Sequence, residues 1–141
     1  MTTNNFKIIQ PDTTIGASRA RPHFKLCFRY VTERNGFSIK NKDITSKEYG
    51  IVLDKMRQIC SIPIHEFLRL PREDGIERLE RCRFKKNIFK ELDNAYRHPD
   101  DVRFASIRYS QKGRLIFKEC NVSGEGDVLH LLAIDPCHVL Y

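Results

Sequence analysis

The sequence predicts a single α+β domain in which an N-terminal strand and helices pack on a C-terminal antiparallel β-meander. Three observations predict it. A capped amphipathic helix opens at Thr45, period-two alternation sets in from Val102, and turn residues divide the last forty positions into successive sheet segments. A chain of 141 residues is large enough to bury one core without disulfides or metal.

Residues 1–22 carry no sustained periodicity and are punctuated by Pro11, Gly16 and Pro22, so they read as a peripheral arm outside a domain spanning 23–141. From His23 to Val31 the pattern alternates, with Phe24, Leu26, Phe28 and Tyr30 on one face, as in a half-buried strand. Asn35-Gly36 supplies a turn, and Phe37 to Ile39 is a candidate second strand. Thr45 and Glu48 match a capping box, in which each side chain satisfies a backbone N–H that the helix leaves orphaned. Tyr49, Val52, Leu53, Met56, Ile59 and Cys60 follow at helical spacing. Pro63 restarts the chain as a short helix buried through Phe67 and Leu68, and Pro71 with Asp74-Gly75 ends it.

Residues 76–86 fit neither template cleanly. Asn87 is a candidate cap for a third helix with Ile88, Phe89, Leu92, Ala95 and Tyr96 inward, stopped by His98-Pro99. Then Arg103, Ala105, Ile107 and Tyr109 alternate with Phe104, Ser106 and Arg108. A turn at 111–113 leads into a strand over 114–120, and another at 123–126 leads into 128–134. The continuous apolar run of that last strand suits a position covered on both faces. Pro136 breaks it, and Val139 to Tyr141 is a candidate final strand.

Composition narrows the function. The chain has 25 Lys and Arg against 18 Asp and Glu, a net charge of +7. Part of the excess is concentrated at Arg78, Arg81, Arg83, Lys85, Lys86 and Lys90, opposed only by Glu80, and such a patch attracts polyanions. RNA is the expected partner, ahead of DNA. No stretch has the apolar length of a membrane span and the first residues lack a signal pattern, so a cytoplasmic protein is expected. The five cysteines form no C-x-x-C pair, which predicts reduced thiols, several of them buried. No metal or cofactor is expected. Phosphate-cradling, dinucleotide, nucleophile-elbow and zinc-protease motifs are absent.

The candidate chemistry lies near the C-terminus. Arg114, His130, His138 and Tyr141 fall within the last two sheet segments and the tail. Alternation sorts His130 with aliphatic neighbours toward a core, leaving Arg114, His138 and Tyr141. An arginine can hold a phosphate bidentately and a histidine can move protons at neutral pH. These are the parts needed for metal-free RNA cleavage by the substrate's own 2′-hydroxyl.

Arg114-Leu115-Ile116-Phe117, the hairpin and apolar strand after it, and the closing His138-x-x-Tyr141 resemble the C-terminal half of RelE/YoeB/HigB-type toxins. The likeness covers residues 85–141. It implies an endoribonuclease of toxin–antitoxin type with an antitoxin partner. By resemblance Arg114 would bind phosphate, and His138 or Tyr141 would transfer protons. Lys112 or Arg108 would be a supporting cation. Independently of the resemblance, the charge run makes Arg81, Arg83, Lys85, Lys86 and Lys90 the candidate RNA-binding surface. The alternative is a non-catalytic nucleic-acid- or protein-binding accessory or inhibitor protein, as phages and mobile elements encode.

Overall fold

The computed structural model describes residues 21–80, 84, 103–122 and 126–141. The expected third helix, the cations Arg81, Arg83, Lys85, Lys86 and Lys90, and most of the N-terminal arm lie outside the described residues.

The architecture is α+β, built on one mixed five-stranded sheet. Its strands are β1 (Lys25–Cys27), β2 (Ile76–Leu79), β3 (Arg103–Arg108), β4 (Arg114–Val122) and β5 (Gly126–Asp135), in the order β1-β5-β4-β3-β2. The expected meander is β3-β4-β5, antiparallel throughout. It is extended at both margins. β2 adds antiparallel to β3, and β1 adds parallel to β5. The N-terminal strand is thus part of the sheet, not a layer packed upon it. Parallel pairing is open to it because no hairpin joins the first strand to the last.

Helix α1 (Ser46–Ser61) begins as the capping pattern predicts, with the Glu48 N–H donating to the Thr45 hydroxyl. The other half of the box is diverted. Glu48 instead accepts from the Tyr109 hydroxyl at 2.6 Å, tying α1 to the end of β3. Val52, Met56 and Ile59 are buried, whereas Leu53 is 65% exposed and Cys60 is also exposed, so the apolar stripe is narrower than the sequence suggests. Helix α2 (Ile64–Phe67) buries Ile64 and Phe67, and Leu68 points outward.

The sheet has a core on each face. On one, the helices meet Ile107, Tyr109, Leu115, Phe117, Leu129, Leu131 and Ile134. On the other, Phe104, Ile116, Leu132 and Ala133 are covered by Phe37, Leu140 and the rings of Tyr30, Phe84 and Tyr141. Among the described residues, this second cover comes from the loop carrying Tyr30 and Phe37, from Phe84 and from the C-terminal tail. Strict alternation along β5 would place Ile134 beside His130. A bulge prevents it: Ile116 pairs with Ala133 and Phe117 with Leu131, leaving Leu132 as an extra residue. The slip sends Ile134 to the helical core and brings Asp135 opposite Arg114.

Four further expectations differ from the structure. The strand expected over 23–31 pairs only at Lys25–Cys27, apart from a bridge between His23 and Pro63, and Phe28 is exposed. Residues 37–39 form turns, with Phe37 buried, and 139–141 cross the sheet as a tail without strand pairing. Residues 76–79, ambiguous in sequence, form β2 because Leu79 fills the second core while Arg78 reaches Glu119 in a two-pronged ion pair. Among the described cysteines, Cys60 and Cys137 are exposed and Cys27 and Cys120 partly buried, all as free thiols. None is the buried apolar filler that the sequence suggests.

Candidate functional site

Pro136 turns the chain at the end of β5, and the tail returns across the sheet. The turn is held from below by Asp135, which is fully buried. Its carboxylate accepts from the Val139 N–H at 3.1 and 2.9 Å and from the Leu140 N–H at 2.9 Å. His138 adopts the left-handed conformation, φ 54°. That conformation costs a non-glycine residue about 1 kcal/mol; the bonds from the next two amides back to Asp135 hold it in place. Leu140 is then buried, and the Tyr141 hydroxyl donates to the Ser106 hydroxyl of β3 at 2.7 Å.

This route brings the expected residues to one corner of the sheet. The His138 and Tyr141 rings lie 4.6 Å apart edge to face, and the Tyr141 ring also meets Phe84 at 5.9 Å. The charges of Arg114, Asp135, Glu77 and Arg108 all act on His138. Burial, then the Arg114 and Arg108 cations, hold its pKa below the ordinary 6.5, only partly opposed by Asp135 and Glu77. The His138 Nε2 is buried and has no hydrogen-bond partner among the described residues.

Arg114 is not the exposed sheet cation that its strand position suggests. It is 6% exposed, and its Nη1 donates to the carbonyls of Ser110, Gln111 and Gly113 at 3.4, 3.2 and 3.0 Å. The guanidinium therefore closes the β3–β4 turn. His130, as expected, sits in a core. It is 8% exposed, with the Tyr30 ring 5.4 Å away, and burial followed by the Lys118 cation lowers its pKa. Lys118 itself is fully buried in the centre of the sheet, a position its strand face did not announce.

The supporting cations separate from one another. Lys112 is exposed on the turn. Arg108 lines an open groove of about 330 Å³ beside α1, where Asp54, Glu73 and Asp74 also face the space. Carboxylates there oppose a polyanion. A different set of cations was passed over in sequence. Lys25, Arg29, Lys40 and Lys42 are all exposed, and none forms an ion pair among the described residues. The signal was available: with Arg34 they make five cations over residues 25–42, against Glu33 alone.

Both histidines predict a pH dependence of stability. Each has a folded pKa below 6.5, so the unfolded chain takes up protons that the folded chain resists. Their contribution is complete above about pH 7 and is lost as the pH falls through 6.5 toward the lowered folded values. The thermal midpoint should fall between pH 7.5 and 5.5, and His138→Gln should flatten part of that slope. A midpoint constant or rising over this interval would contradict the assignment.

No family model matches the chain, and neither a curated protein nor a solved structure matches it. Among the described residues, no helix is long and apolar enough to cross a membrane.

Proposed function

We propose that this is an RNA-directed binding protein whose C-terminal corner serves the fold and not catalysis. Charge supports the first half: a net +7 gives an RNA backbone a counterion surface. Donor use at the corner supports the second and is the observation that carries the reading. Arg114 Nη1 donates to three turn carbonyls and the Tyr141 hydroxyl donates to Ser106, while the Asp135 carboxylate accepts from two backbone amides of the tail. A group that stabilises a transition state has to present free donors toward the place where charge develops. Here the Arg114 Nη1 and Tyr141 hydroxyl donors are used inside the fold. The reading places the protein in the cytoplasm, where RNA is its partner.

The second reading is the metal-free endoribonuclease implied by the toxin-like resemblance, with an antitoxin as protein partner. One observation favours it: Arg114, His138 and Tyr141 do gather at one end of the sheet.

One assay separates the two. The full chain is incubated with labelled single-stranded RNA in EDTA, and both retention and cleavage are followed. Retention that weakens steeply with salt, without cleavage, is the expected result. No retention at 50 mM salt would overturn the proposal. Cleavage abolished by His138→Ala in a folded variant would establish the enzyme reading instead.

A further inference from the structure

Resting on the RNA reading, we infer that the protein holds single-stranded RNA along the sheet margin formed by β1 and the loop after it. This margin is continuous. β1 pairs with residues 128–130 of β5, and beyond that pairing the loop takes over the same edge. The Thr32 N–H donates to the Leu132 carbonyl at 2.8 Å, and the Ile134 N–H donates to the Phe37 carbonyl at 2.9 Å. The Tyr49 hydroxyl then bonds the carbonyls of Ile39 and Asn41, fixing the end of the loop against α1. The strip is anchored by backbone bonds at several points.

What it presents outward matches an unpaired polynucleotide. Lys25, Arg29, Lys40 and Lys42 are exposed cations without ion pairs among the described residues, and Glu33 is the acid interposed among them. Between Lys25 and Arg29 in the chain lies Phe28, 50% exposed, although alternation would have turned it inward. The Arg29 guanidinium rests over the Tyr30 ring at 5.4 Å, which holds a flat cation at the position next to Phe28 in the chain. Cations alone would suit any polyanion. An exposed aromatic ring on the same margin suits unstacked bases, which a duplex does not offer. The pairing of ring and charge carries the choice of a single strand.

The test uses the full chain and a fluorescein-labelled twelve-residue oligouridine, followed by anisotropy across a salt series. Phe28→Ala should weaken binding about tenfold, since loss of one stacked base costs that order. The combined Lys25→Gln, Lys40→Gln and Lys42→Gln variant should reduce the slope of log affinity against log salt by about 2, near 0.7 per phosphate contact. Phe28→Leu keeps apolar bulk without the π face; it should behave as the alanine variant does, and it stands in for that variant should the latter fail to fold. Wild type should prefer the oligouridine to a twelve-pair RNA duplex. If wild type binds the oligouridine and the variants match it, the margin is not the site, while the RNA reading stands. If wild type binds no RNA, both fall. If polyglutamate binds as tightly and suffers the same loss on Phe28→Ala, the margin takes acidic peptides and the inference is overturned.

Discussion

Replacing Asp135 with alanine should lower the unfolding free energy by about 3 kcal/mol, among the largest effects of any single change in this chain. The carboxylate is fully buried and accepts from two successive backbone N–H groups of the tail. Hydrogen bonds to a charged acceptor contribute about 1.5–3 kcal/mol each, and removal leaves two amides to find water. Those amides hold the turn that seats Leu140 in the second core and Tyr141 against Ser106. The tail should therefore loosen together with the loss of stability. Urea unfolding measures the first, and protection of the Val139 and Leu140 amides from hydrogen exchange measures the second. Asp135→Asn keeps an acceptor oxygen without the charge and should lie between alanine and wild type. A loss under about 1 kcal/mol for alanine would show that the tail is held by its apolar contacts alone.

Gly113→Ala should be comparably disruptive, at about 3 kcal/mol, for a steric reason. A Cβ at this position would overlap Tyr109 Cζ and lie 2.5 and 2.6 Å from Cε2 and Cε1. The ring is 7% exposed and has nowhere to withdraw without leaving the helical core. Moving it would also break the hydroxyl bond to Glu48 that ties β3 to α1. Burial, reinforced by that carboxylate, holds the phenol protonated far above its ordinary pKa, so the clasp is insensitive to pH over the neutral range. The same substitution in a Tyr109→Leu background should cost much less, because the obstructing ring is gone. Equal losses in the two backgrounds would place the damage in the turn itself.

The two residues differ in how visible they were. Gly113 stands in a recognisable turn, yet nothing in the turn signature says that an aromatic ring four positions earlier will lie across it. Asp135 looked like a strand end. Its importance depends on the bulge at Leu132, which turns it to the face that the tail crosses. The charge of Arg114 points to a polyanion, but its partners are carbonyls of the adjacent turn. Residue type suggested a phosphate ligand; the local geometry makes it a turn clamp. Phe28 failed in the opposite direction. Its place in an alternating run implied burial, and the strand stops pairing one residue earlier.

Patterns with a local cause were readable without coordinates. The Thr45 cap, the turn at 111–113, the alternation of β3 and the near-continuous apolar run of β5 each reflect one element's own periodicity or backbone chemistry. Those patterns determined the α+β class and the order of the C-terminal strands. Pairings between distant segments had no such signature. That β1 lies parallel to β5, that β2 closes the opposite margin, and that loop and tail cover the second face follow from which surfaces fit once the sheet exists. The same division holds for function. Sequence supplied the inventory of cations, imidazoles and phenols, and tertiary structure decided which of them face inward. A hydrogen-bond donor engaged within the fold is less available to a ligand, and only the folded chain fixes where each donor points.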